Sequence, residues 1–223
     1  MNSCDFEPTD SRPVIVLGAG GHAVVIISSL LRLGVKVLGT TSLDNPKEVE
    51  ILGVPAIGKD EEISDWATTD ITLVNGIGMH AAGQLARHVC AKRMRNLGFH
   101  FRTVVDPTAI VAPQVKLAEG VQILAGAVVQ PRARIGRDSI ISTGARIDHD
   151  CEIGEGCHIC PGVTLTGSIK VERGSMIGAG TTVIPGLTIG EGSLIAAGSI
   201  VYTDVPPRSH VVQRRMAAPT SQA

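Results

Sequence analysis

Aromatic side chains are nearly missing: three Phe, one Tyr and one Trp make up 2% of this 223-residue chain. Ordinary globular cores lean on aromatic rings for buried area, so this interior must be filled by other means. An excess of one charge sign is missing too, since 20 Lys and Arg stand against 21 Asp and Glu, for a net charge of -1. That balance leaves no basic footprint for nucleic acid. Short clusters such as Lys92, Arg93 and Arg95, or Arg214 and Arg215, read as solvated faces and tails. Met1 to Pro13 is polar, carries acidic residues and lacks the apolar stretch of a secretory leader. The five cysteines, an odd number, therefore fit reduced thiols in the cytoplasm better than a disulfide framework. One uncharged run, Val14–Leu31, is long enough to raise a membrane span. "GAGGH" divides it into a short strand, a glycine turn and a helix start, so no span is expected.

What the chain has in abundance is glycine, 26 residues, with positive mean hydropathy. The pattern behind this is a repeat. Every sixth residue from Val111 to Val201 is Leu, Ile or Val, through Leu117, Ile123, Ile147, Ile153, Ile159 and Ile195 without a slip. The position four further on is small or aliphatic, as at Ala127, Ser139, Cys151, Cys157 and Val205. Such hexads build a β-helix, each giving a short strand and a corner while the stacked aliphatics make the core. The repeat resembles the left-handed parallel β-helix of the hexapeptide acyltransferases. That resemblance implies three hexads per triangular coil, a little over five coils here, and association as trimers with acyl-CoA between subunits.

The first hundred residues alternate between strand and helix. "PVIVLGAGGH" reads as a strand entering a glycine turn, "AVVIISSLLRLG" as a helix closed by Gly34, and "VKVLGTT" and "ITLVNGIG" as further strands. "AAGQLARHVCAKRMRNLG" reads as a helix ending at Gly98, and "FRTVVDP" as a last strand stopped by Pro107. This alternation predicts a small parallel α/β sheet. Gly18-x-Gly20-x-x-Ala23 matches the dinucleotide fingerprint, yet the second strand ends in Thr40-Thr41 without the acidic residue that NAD requires. The backbone N–H groups at this helix start still suit a diphosphate.

Thus the expected organisation is a Rossmann-like α/β domain over residues 12–106, a left-handed β-helix over 107–205 and a tail over 206–223. Within the β-helix, "DHDCEIGEGCHIC" (148–160) gathers histidines, cysteines and carboxylates. The hexad register sends Cys151 and Cys157 inward as packing, which leaves no metal site. Cys160, just after Ile159, is expected nearer the surface. His149 and His158 occupy no inward slot, and outward histidines can be plain solvated surface.

The "GAGGH" loop, the "NGIG" segment and a β-helix bearing "IDHDCEIGEGCHI" together resemble the bacterial nucleotide-4-aminosugar N-acetyltransferases and the related sialic-acid-type O-acetyltransferases. The resemblance runs from about Pro13 to Val205. It implies acetyl-CoA as co-substrate and a nucleotide-linked amino sugar as acceptor. By the same resemblance His149 is the general base, followed by Asp150, and His158 nine positions later meets the acetyl group or CoA. Gly167 offers a backbone N–H to the oxyanion, and CoA runs past Ala179 and Ala197. Nucleotide-sugar contacts map to Gly20, Gly21, His22, Asp44 and Gly78. Asp148 competes with Asp150 for the imidazole, because adjacent strand residues point apart and Asp150 reaches His149 only if the backbone turns. His149 and His158 are half a coil apart, so they are expected to meet only across a subunit interface. Two other readings stand beside this one: a sugar O-acetyltransferase, and a non-catalytic nucleotide-sugar-binding trimer.

Overall fold

The computed structural model describes residues 10–42, 49–78 and 84–212. Asp44, His80, Arg214 and Arg215 lie outside them. The N-terminal unit is a five-stranded sheet built from β1 (Val14–Leu17), β2 (Val37–Thr41), β3 (Glu50–Ile51), β4 (Val54–Gly58) and β5 (Thr72–Asn75). The order is β3-β4-β2-β1-β5. All pairs are parallel except the β3–β4 hairpin, which the sequence pattern does not reveal because its turn, Leu52-Gly53, joins a strand of only two residues.

Helix α1 (Gly21–Arg32) covers one side of the sheet and α2 (Gln84–Asn96) the other. Alternate residues of a strand face opposite sides. Accordingly Val14 and Val16 pack with Ile26, Ile27 and Leu30 of α1, while Ile15 and Leu17 pack with Cys90, Ala91 and Met94 of α2. No helix among the described residues is long and apolar enough to cross a membrane.

From Val104 onward the chain winds into a left-handed parallel β-helix with three faces. The first face carries seven strands from Val104–Val105 to His210–Val211, the second six from Ile110–Val111 to Ile200–Val201, and the third five from Lys116–Leu117 to Thr188–Ile189. Corresponding positions stack 18 residues apart, as in Val128 with Arg146. Seven rungs on the first face mean six coil steps, more than the hexad run alone suggests. The extra rungs, Val104–Val105 and His210–Val211, flank the run. Val104–Val105 pairs with Gln122–Ile123 of the coil, and the bridge from Phe101 to Leu73 is the N-terminal sheet's last link to this segment. After Val201 the spacing contracts: Val205 bridges Ile189 and Val211 stands beside Ile195, 16 residues apart. Val205 therefore occupies a stacking rung, and not the small position that the hexad count gives it.

The interior is the predicted aliphatic stack, and Cys151 and Cys157 lie fully buried in it. Their thiols bond to the carbonyls of Thr166 and Glu172, both at 3.1 Å. Burial pushes Cys151 up to about 11 and Cys157 up to about 12. Cys160 is buried as well, against the expectation of a near-surface thiol, and burial raises it to about 11.

The N-terminal unit sits on the first face, where Leu124 and Ile140 join the core beneath α1. The join is fastened by Asp106, whose side chain is fully buried. Its carboxylate accepts from Ser29 Oγ (2.6 Å), from Thr108 N and Oγ1 (2.9 and 2.6 Å), and from Arg32 at the end of α1. Burial pushes this carboxyl up, but the hydrogen bonds from Ser29 and Thr108 and the charge of Arg32 carry it below the usual carboxylate range.

Candidate functional site

The corner between the second and third faces positions His149. Asp150 adopts φ 61, in the left-handed region, so the backbone turns where a plain strand would send the two side chains apart. The turn brings Asp150 Oδ2 to 2.7 Å from His149 Nδ1. Asp148 instead accepts the backbone N–H of His149 at 2.7 Å, which settles the competition for the ring in favour of Asp150. With Nδ1–H donating to a carboxylate, Nε2 keeps its lone pair and can take a proton.

Gly167 lies directly beneath this imidazole. A Cβ built there would stand 2.7 Å from Cε1 and 2.8 Å from Nε2 of His149. Gly167 is outside the left-handed region, so only space forbids a side chain. Gly167→Ala should therefore tilt the ring while leaving the coil intact. A displacement on the order of 1 Å can cost about 100-fold in rate. We expect at least a tenfold fall in kcat with an unchanged melting temperature, read by steady-state kinetics beside thermal denaturation.

His158 is placed elsewhere, in the strand His158–Ile159 of the first face. Its Nε2 lies 3.0 Å from Ser142 Oγ. In a triangular section the corner bearing His149 is the vertex opposite that face, so one chain keeps the two histidines apart. His158 has His22 of the N-terminal unit near enough to feel its charge. His22 Nε2 is 2.7 Å from Gln122 Oε1, and Gln122 Nε2 donates to the Asn75 carbonyl at 2.8 Å. Burial, then the charge of Arg87, hold His22 down to about 4. It is neutral at pH 7 and brings no positive charge to a diphosphate.

The two glycine loops lie side by side. A Cβ at Gly18 would meet Ile77 at 3.1 Å, and one at Gly78 would meet His22 at 3.4 Å. Gly20, which caps α1, and Gly21 are exposed with open space where a side chain would stand. The threonines ending β2 brace this loop: Thr40 Oγ1 donates to the Gly18 carbonyl, and Gly18 N–H donates to Thr41 Oγ1 at 2.8 Å. Thr41 in turn donates to Asp60. The second loop is held by Arg87, fully buried, whose Nη1 donates to the carbonyls of Asn75 (2.7 Å) and Ile77 (2.8 Å). Ala179 and Ala197 stack in exposed positions at the corner between the first and second faces, beside Gly180 and Gly198. They are away from His149 of the same chain. Among the described residues no group of three His, Cys, Asp or Glu could hold a metal ion.

Comparison with known proteins bears on the same features. Residues 13–84 match the model of the PglD N-terminal domain, and residues 132–167 and 168–203 match the bacterial transferase hexapeptide (six repeats). The chain is similar to PerB from Caulobacter crescentus, solved in complex with CoA and GDP-perosamine, at 35% identity and TM-score 0.82, over 89% of this chain and 92% of that one. The chain belongs to the bacterial nucleotide-4-aminosugar N-acetyltransferase family. It is thus an acetyl-CoA-dependent sugar acetyltransferase. The acetyltransferase domain of PglB from Neisseria gonorrhoeae FA1090, in complex with acetyl coenzyme A, is 28% identical, with TM-score 0.80 over 87% of this chain and 93% of that one. WeeI from Acinetobacter baumannii AYE, at 20% identity and TM-score 0.80 over 91% of this chain and 97% of that one, shares the fold. No curated protein sequence matches the chain.

Sequence reasoning overlooked Arg132, Gln122 and Arg87 in this acetyltransferase. The 18-residue stack was the available signal for two of them. It sets Arg132 beneath Asp150, and it sets Gln122 two rungs from His158 on one face. Nothing in the sequence marks Arg87 as the buried brace of the "NGIG" loop.

Proposed function

We propose that the chain transfers the acetyl group of acetyl-CoA to the 4-amino group of a nucleotide-linked amino-deoxysugar, with His149 as general base. The observation that carries this is the His149–Asp150 pair at 2.7 Å, turned outward on an exposed corner. The similarity to a perosamine N-acetyltransferase, including a histidine-to-asparagine variant crystallised with CoA and GDP-perosamine and 34% identical to this chain, supports an amine acceptor.

In this reading the neutral amine attacks the thioester carbonyl, forming the C–N bond and an oxyanion. His149 Nε2 takes the amine proton as the bond forms. Collapse restores the carbonyl and breaks the C–S bond, and the imidazolium returns its proton to the departing CoA thiolate. The products are an amide and free CoA. Asp150 keeps the imidazole in the Nδ1–H tautomer and steadies the imidazolium. Gly20, Gly21, His22 and Gly78 border the nucleotide-sugar site, with the start of α1 facing the diphosphate. Asp44 belongs to that set by resemblance and lies outside the described residues. Gly167 supports the base from below, and Ala179 and Ala197 leave room for the CoA arm. A homotrimer brings His149 of one subunit toward the face that carries His158 in the next.

The test is incubation with acetyl-CoA and a panel of UDP-, GDP- and dTDP-linked 4-amino-sugars, followed by mass spectrometry. The expected result is one member that gains a single acetyl group, with free CoA released in equal amount. A panel with no acetylated member overturns the reading.

A further inference from the structure

We propose that Arg132 is a positioning residue for acetyl transfer, acting through Asp150 to fix the orientation and proton balance of His149. This rests on the reading of His149 as the base. Arg132 stands 18 residues before Asp150, at the same corner of the preceding coil, and both residues take left-handed backbones, φ 66 and 61. The guanidinium grips both carboxylate oxygens, Nε to Oδ1 and Nη2 to Oδ2, each at 2.6 Å. Oδ2 is also the oxygen that faces His149 Nδ1. One oxygen therefore serves the cation and the imidazole together.

Two consequences follow from that sharing. The two-pronged contact sets the plane of the carboxylate, and the carboxylate plane sets the ring; a lysine, with a point charge and no fork, holds neither. The second consequence is electrostatic. A carboxylate alone beside an imidazole favours the charged ring. A cation on the same carboxylate opposes this. Arg132 first, and His149 second, hold the Asp150 carboxyl well below the usual carboxylate range.

The other charges around the pair are few. Asp148 lies on the backbone side of His149, and Lys116, Arg134 and Glu152 border the recess that Arg132 and Asp150 share. The two cations and one acid of that recess do not cancel the effect of Arg132, which alone of the three basic groups bonds Asp150. The triad is half exposed, so dissolved salt screens it.

The experiment uses the full-length enzyme and its acetylated product as the readout, with Arg132→Met, Arg132→Gln and Arg132→Lys variants. Both neutral variants should move the acid limb of the kcat/KM profile upward at low salt, lower kcat at pH 7 about tenfold, and leave KM for acetyl-CoA unchanged. The shift should shrink in molar salt. Arg132→Lys keeps the charge without the fork, so its acid limb should stay in place while kcat still falls. An unmoved limb with kcat within twofold of the parent, in either neutral variant that melts like the parent, overturns the role of Arg132. His149→Ala separates the two ideas. If it stays active, the base assignment falls and this inference with it; if it is inactive while the neutral variants behave as the parent, only Arg132 is removed.

Discussion

His149→Ala is expected to lower kcat by about 100- to 10,000-fold, the range that positioned general bases contribute. KM for acetyl-CoA should change little, because the base acts on the amine proton as the new bond forms and not on the bound CoA arm. Stability should also hold. The imidazole is half exposed, and its side-chain partner Asp150 stays bound to Arg132. The ring acts as a base only when neutral, so the loss should be largest above the acid limb of the parent's profile and smaller in more alkaline solution, where solvent can take the proton. A pH series of kcat for both proteins checks this. Parent-like activity in His149→Ala at pH 7 would show that another group removes the proton.

Asp106→Ala should produce the largest loss of stability. It removes the acceptor of four hydrogen bonds and leaves Ser29 buried without it. Hydrogen bonds to a charged group contribute about 1.5–3 kcal/mol each, but Arg32 is half exposed and relaxes into water. A net cost of about 3 kcal/mol follows, near the lower end for breaking a buried pair. The carboxyl is depressed in the folded state, so its contribution is present above the unfolded value near 4 and is lost as pH falls through that value toward the folded one. Urea midpoints for the parent and Asp106→Asn should therefore converge as pH falls below the unfolded value near 4 and through the lower folded one. A gap that widens on acidification, or an alanine variant within about 1 kcal/mol of the parent at pH 7, contradicts this account.

The β-helix was legible because its rule is strict: one inward aliphatic every six residues leaves little else for the chain to do. Its ends were less so. Val104 and Val211 belong to the coil through pairing with distant rungs, and the Tyr202–Asp204 corner is shorter than the others, which a fixed period cannot express. The candidate site divides along the same line. His149, Asp150 and His158 were readable from spacing and resemblance. That Asp150, and not Asp148, reaches the ring depends on a single left-handed residue. The partnership of His22 with Gln122 spans 100 positions and depends on how the two units dock. Arg87 likewise gains its meaning from burial that arises only when α2, the "NGIG" loop and the coil close around it.

The constant coil length has a consequence for how substitutions combine. Neighbours in space are here neighbours by arithmetic, 18 positions apart along most of the β-helix and 16 beyond Val201. A map of pairwise epistasis across residues 104–211 should therefore show a ridge at a separation of 18 that steps to 16 where the last coil shortens. Arg132 with Asp150 would be its brightest point, for function as much as for stability.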